Sequence, residues 1–145
     1  TYWPPVTPTL HRTSQSRCRF FAPHTPILLE AMKVHYLEVV TQDVEAVCGA
    51  YASGLGVEFG NPVPALGGAR TAILSDGSLV GVRGPLRDSE LPVVRPYWLV
   101  SDIRAALGVI EAAGGRIALP ATPIAGYGTC AIYLQGGNDH GLWQL

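Results

Sequence analysis

The chain repeats itself at a spacing of about 60 residues, and this restricts the folds open to it. His35-Tyr-Leu-Glu-Val-Val40 aligns with Arg95-Pro-Tyr-Trp-Leu-Val100. Asp43-Val44 aligns with Asp102-Ile103, and Ala69 to Gly77 with Thr129 to Gly137. A repeat of this length is one supersecondary unit used twice. Two facing units enclose a cleft, where small ligands bind.

Each copy has the same internal order. An apolar run of strand length comes first, Val34 to Val40 and Val93 to Val100. Asp43 or Asp102 follows, placed to cap the free N–H groups of a helix start. Apolar residues then recur at i, i+3, i+4 and i+7, at Val44, Val47, Cys48 and Tyr51, and at Ile103, Ala106, Leu107 and Ile110. That spacing predicts one helix per copy with a single buried face. Glycines end both, at Gly54 and Gly56 and at Gly114-Gly115. Three shorter strands are expected next. In copy one they are 57–59, 69–74 and 78–83, and in copy two 116–119, 129–134 and 139–145. The last two strands of each copy are joined at Asp76-Gly77 and at Gly136-Gly137-Asn138, residues that suit a tight hairpin. Each copy therefore reads βαβββ, and the fold class is α+β. Module one is 33–84, module two is 93–145, and the proline-flanked 85–92 links them.

Bulk properties exclude several functions. Of 145 residues, 48% are hydrophobic, enough for a sizeable core. Net charge is −1 with no basic stripe, which argues against a nucleic-acid partner. No apolar run approaches the roughly 20 residues of a membrane helix. Cys18, Cys48 and Cys130 have no metal or disulfide spacing and read as reduced thiols in a cytoplasmic protein. Residues 1–31 differ from the rest. They carry five of the twelve prolines, three arginines and one acid, Glu30, without helical periodicity. The chain's single methionine, Met32, stands just before the first strand, so 1–31 is expected to be a leader or extension outside the fold.

With this order of elements the chain resembles the vicinal oxygen chelate superfamily, the group of glyoxalase I, extradiol dioxygenases, fosfomycin-resistance transferases and bleomycin-binding proteins. The resemblance covers Lys33 to Leu145. It is carried most specifically by His35-Tyr-Leu-Glu-Val-Val40, Ile124 to Tyr133 and His140-Gly-Leu-Trp-Gln144, which are similar to a glyoxalase-related branch of mostly unassigned activity. It implies paired βαβββ modules with cupped mixed sheets, and commonly a homodimer. It also implies four metal-ligand positions, one early in the first strand and one in the last strand of each module. Here those positions align with His35, Arg95, Gly81 and Gly141. Arginine has no lone pair to give and glycine has no side chain, so one ligand of four remains where a catalytic metal needs about three. No metal and no other cofactor is expected. A pair of His35 and His140 is the minority alternative.

The expected contents of the cup follow from strand alternation. If His35 and Arg95 face inward, so do Leu37, Val39, Tyr97 and Leu99, with Leu79, Gly81, Arg83, Asp139, Gly141 and Trp143 on the closing strands. Arg95 suits a carboxylate or phosphate, or else is paired with Glu38, Asp139 or Glu111. His35 is the candidate general acid or base, or else a hydrogen-bonded pocket histidine. Arg83, Tyr97, Leu37, Leu79 and Trp143 are candidate ligand contacts, and Tyr127 a candidate lid. Ala125-Gly-Tyr-Gly128 precedes a strand and fails the context of a phosphate loop. Cys48 reads as core, and Cys130 has no adjacent base. Three functions stay open. One is a metal-independent protein that binds a small organic anion, to sequester it or to transform it using His35. Another is a metal-dependent lyase, isomerase or dioxygenase. The third is a non-catalytic assembly subunit.

Overall fold

The computed structural model describes residues 32–145. The segment 1–31, expected to be a leader, lies outside the described residues. Module one runs β1 (Val34–Val40), α1 (Val44–Leu55), β2 (Pro62–Val63), a 3-10 turn (Pro64–Leu66), β3 (Ala69–Ile73) and β4 (Leu79–Arg83). Module two runs β5 (Val93–Leu99), α2 (Ile103–Ala112), β6 (Arg116–Ile124), β7 (Gly128–Gln135) and β8 (Asn138–Gln144). The expected βαβββ order is present twice. The strand expected over 57–59 is not formed. Gly60 and Pro62 interrupt the chain there, and pairing with β3 begins only at Pro62.

The two modules form one eight-stranded sheet in the order β2-β3-β4-β1-β5-β8-β7-β6. Within each module the first strand lies parallel to the last, β1 to β4 and β5 to β8. The modules meet where β1 and β5 pair antiparallel, with Leu37 opposite Pro96. The ends of the sheet are β2, two residues long, and β6, which carries Pro120, Pro123 and two register shifts.

Both helices cover the same face. Val44, Val47, Cys48 and Tyr51 of α1 pack on Leu37, Val39, Val80 and Val82. Ile103, Leu107 and Ile110 of α2 pack on Ala131 and Leu142. These are the periodic positions read from the sequence, and burying such side chains stabilises each by roughly 1.5–3 kcal/mol. The two aspartates differ. The Asp102 carboxylate accepts from the N–H of Ala105 at 3.0 Å, as a cap does. Asp43 makes no such bond, and its own N–H donates to Thr41 Oγ1 instead. Gly56, at φ 68°, closes α1 in the left-handed conformation that glycine adopts without strain.

The opposite face holds a second core of Tyr36, Leu66, Ala69, Tyr97, Cys130 and Trp143. No helix covers it. Residues from β4, β6, β7 and the 3-10 turn all border one cavity on this side, so the sheet curls around it. No described helix is long and apolar enough to cross a membrane.

Candidate functional site

The cavity has a volume of about 630 Å³, within the range of small-molecule sites. Its walls come from both modules and from the linker. Leu66, Leu119, Ile124 and Ile132 supply apolar wall, and Tyr36, Tyr97 and Trp143 aromatic wall. The aromatic rings touch one another, with centroids 5.2–5.7 Å apart.

At its base lies a cluster of buried charge. Glu38 on β1 accepts from Arg83 Nε on β4 at 3.0 Å, from Arg95 Nη1 on β5, and from the Tyr97 hydroxyl at 3.3 Å. Arg83 also pairs with Glu90 of the linker at 2.6 Å and donates to the Gly84 carbonyl. Glu90 in turn accepts from the N–H of Leu86 at 3.1 Å, which ties the linker down beside the cavity. Arg95 Nη2 donates to Asp139 on β8 at 2.9 Å. Glu38, Arg83 and Arg95 are each more than nine-tenths buried, whereas the Asp139 side chain is 36% exposed. Three carboxylates thus face two guanidiniums.

Burial opposes the charge on Arg83, but the Glu38 and Glu90 carboxylates together outweigh it and hold the guanidinium protonated above its usual range. For Arg95 burial acts the same way, and the Asp139 hydrogen bond with the Glu38 charge overcomes it. Burial, reinforced by Glu38, pushes the Tyr36 and Tyr97 phenols well above the ordinary tyrosine value. The same two causes lift the Cys130 thiol to about 11, so it is no nucleophile near neutral pH.

The register explains which expected residues reach the cavity. Glu38 lies beside Gly81 across the β1–β4 pair, and Tyr97 beside Gly141 across the β5–β8 pair. Glu38 therefore corresponds to Tyr97, and Tyr36 to Arg95, at a spacing of 59 residues rather than 60. A slip of one residue carries every side chain of a strand to the other face. On β1 the cavity takes Tyr36 and Glu38, while Leu37 and Val39 pack under α1. Leu37, expected as a ligand contact, is thus on the wrong face. Arg83, Arg95, Tyr97, Asp139 and Trp143 border the cavity as expected from alternation. Leu79 packs in the core on the cavity side without lining the cavity.

His35 is not part of the cavity wall. A register shift between Val34 and Tyr36 sets the consecutive His35 and Tyr36 rings both against Trp143. His35 is buried, and its Nδ1 has no hydrogen-bond partner among the described residues. Tyr127 is likewise away from the cavity surface. Its side chain packs on the Tyr36–Trp143 core, and its carbonyl accepts from Trp143 Nε1 at 2.9 Å. Cys48 is buried on the sheet-facing side of α1, as read from the sequence. On β1 the contacts missed are Tyr36 and Glu38, and elsewhere they include Leu66, Glu90, Leu119 and Ile132. The signal for the first two was present in the two aspartates at the helix starts, which are 59 residues apart.

Burial and the nearby Lys33 charge lower the His35 pKa below its ordinary 6.5, with Asp76 pulling weakly the other way. The unfolded chain then binds the proton more readily than the folded one. Stability is unaffected above about pH 6.5 and falls as pH drops below it, toward the depressed folded value. A Tm series from pH 7.5 to 5.5 is expected to show that decline, and His35→Gln to flatten it. An unchanged slope in the variant would place the titrating group elsewhere.

The four positions implied for a metal do not fit one. Of His35, Arg95, Gly81 and Gly141, Arg95 alone borders the cavity, and Tyr36 lines it in place of His35. The Tyr36 ring lies over Gly81, where an added Cβ would stand 2.5 Å from its Cζ. The Tyr97 ring lies over Gly141 in the same way, 2.5 Å from Cγ. A phenol held this firmly protonated is a poor ligand, and a guanidinium offers none. Both Glu38 oxygens are taken by arginine. Among the described residues no three His, Cys, Asp or Glu side chains are grouped to hold a metal ion.

No family model matches the chain, and no curated protein sequence does. Solved structures do. A hypothetical protein, BH1468 from Bacillus halodurans C-125, superposes with a TM-score of 0.61 at 14% identity, over 80% of this chain and 96% of that one. The fold is the glyoxalase-like one. A methylmalonyl-CoA epimerase from Streptomyces coelicolor, in complex with 2-nitronate-propionyl-CoA, matches with a TM-score of 0.56 at 17% identity, over 77% of this chain and 95% of that one. The enzyme of the same name from Mycobacterium tuberculosis matches with a TM-score of 0.57 at 17% identity, over 75% and 85%. At such identities the likeness extends to the fold alone.

Proposed function

We propose that this chain binds a small organic molecule in the cavity between its two modules, using its own side chains and no metal ion. The observation that carries this reading is the replacement of chelating groups by packed tyrosines. Tyr36 and Tyr97 occupy the space over Gly81 and Gly141, and the one central carboxylate, Glu38, is shared between two arginines. What remains is an aromatic and apolar hollow with a few fixed polar groups, the usual make-up of a ligand site.

A metal-dependent isomerase is the second reading. It is favoured by the fold shared with the epimerases. Against it stands the donor set, since one buried, doubly paired carboxylate is far from the three protein ligands a catalytic metal takes. The two readings separate by metal analysis. Protein purified without an affinity tag and dialysed against zinc, cobalt or manganese is expected to retain far less than one equivalent. Its Tm should be unmoved by chelator, because a metal that binds only the folded state would raise it. One retained equivalent, lost on Glu38→Gln, would establish the metal-dependent reading.

A further inference from the structure

We infer that the mouth of the cavity selects an organic carboxylate with an apolar body, the acid group held by Arg87 and the body lying inward past Leu86 and Leu91. This rests on the reading of the cavity as a ligand site and deepens it by naming the ligand's chemistry. The anion expected at Arg95 is assigned to Arg87 instead.

Six charged side chains border the cavity, the carboxylates of Glu38, Glu90 and Asp139 and the guanidiniums of Arg83, Arg87 and Arg95. Five of them are committed to one another. Arg83 pairs with Glu38 and Glu90, and Arg95 with Glu38 and Asp139. Arg87 alone has no ion-pair partner among the described residues. Asp88, next in sequence, is exposed and does not line the cavity. An acid group that went deep would meet the buried Glu38, where like charges repel strongly, and would have to displace Asp139 to reach Arg95. At the mouth it meets an unspent guanidinium, whose fork of donors matches a carboxylate. A ligand ammonium would meet like charge there.

The linker places Arg87 before any ligand arrives. The Glu90 N–H donates to the Arg87 carbonyl at 3.0 Å. The Glu90 carboxylate accepts from the Leu86 N–H at 3.1 Å and pairs with the buried Arg83 at 2.6 Å. Only the Arg87 side chain is then left to order on binding, and a preorganised backbone lowers that cost. Leu86 and Leu91 flank this point. They border the cavity yet are 64% and 77% exposed. Large apolar side chains left to water at the rim of an apolar hollow mark a surface that a ligand body covers.

The test uses three probes of one shape, 2-naphthoate, 2-naphthamide and 2-naphthylmethylammonium, titrated calorimetrically into the full chain at pH 7.5. Naphthoate is expected to bind about two- to fivefold tighter than the amide, the scale of an exposed ion pair, and the ammonium weakest. Arg87→Gln should bring naphthoate down to the amide and leave the amide unchanged. Arg104→Gln, on the exposed side of α2, should change neither. Leu91→Ser should weaken acid and amide alike. Raising NaCl from about 50 to 500 mM should weaken naphthoate and spare the amide, a reading that needs no variant. Acid and amide binding equally, or a naphthoate preference that survives Arg87→Gln, would overturn the inference while sparing the binding site. So would an equal loss in Arg104→Gln, which would make the preference a property of the whole charged surface. If no probe binds at millimolar concentration, the site reading itself falls, and the inference with it.

Discussion

Glu38→Ala is expected to be the most damaging single substitution in the molecule, at about 3–5 kcal/mol of unfolding free energy. The residue lies more than nine-tenths buried between Arg83 and Arg95 and also accepts from Tyr97. Removing it leaves two guanidiniums close together in a desolvated place, Arg83 with Glu90 as its one carboxylate and Arg95 with Asp139. The loss comes from uncompensated charge more than from a missing attraction, because a buried ion pair by itself contributes little net stability. Urea denaturation measures it directly. Triple replacement of Glu38, Arg83 and Arg95 by apolar residues of similar volume should therefore destabilise less than Glu38→Ala alone. A Glu38→Ala loss under 1 kcal/mol would mean that water or relaxation satisfies the arginines.

Reading the sequence alone recovered the frame, misplaced the short second strand of module one and lost one face of β1. Helix positions were legible because Val44, Val47, Cys48 and Tyr51 obey the period of a helix and touch the sheet where that period places them. The cavity-facing sides of β4, β5 and β8 were legible from alternation, with Arg83, Arg95, Tyr97 and Trp143 bordering the cavity. β1 was not, because His35 attracts attention as a titratable residue and aligns with Arg95 at a spacing of 60. A register shift at Val34 and Tyr36 is a local backbone event with no residue signature at that point. Nor could the sequence show that Glu90, in a segment read as linker, would reach Arg83. Such a contact depends on the path of the chain and not on its pattern. The eight strands were expected as two sheets, and only the β1–β5 pairing makes them one.

The second large effect concerns Gly81 and Gly141. Each sits beneath a tyrosine ring of the neighbouring strand, and an alanine methyl would lie within 2.5 Å of ring carbon in both places. Tyr36 and Tyr97 are themselves buried and cannot swing away freely. Overpacking of this kind costs about 1–3 kcal/mol per site. The two sites should differ in rescue. At Gly81 the close atoms are all from the Tyr36 side chain, so Gly81→Ala should cost almost nothing in a Tyr36→Ala background. At Gly141 the Pro96 carbonyl also stands 2.9 Å away, so Tyr97→Ala should relieve the strain only in part. Double-mutant cycles by denaturant titration read both coupling energies. Equal rescue at the two sites would remove the backbone contact from the explanation.

The two ends of the sheet bear on how copies of this chain can associate. β2 offers two residues for pairing, and β6, though nine residues long, is broken by Pro120, Pro123 and two register shifts. Proline lacks the N–H that a newcomer strand would need, and an irregular margin gives it no straight template. Homodimerisation by strand addition, in which one protomer lengthens the other's sheet, is thereby disfavoured. Among the described residues these margins favour contact between protomers through side chains over backbone pairing, and they give fibrous stacking little purchase.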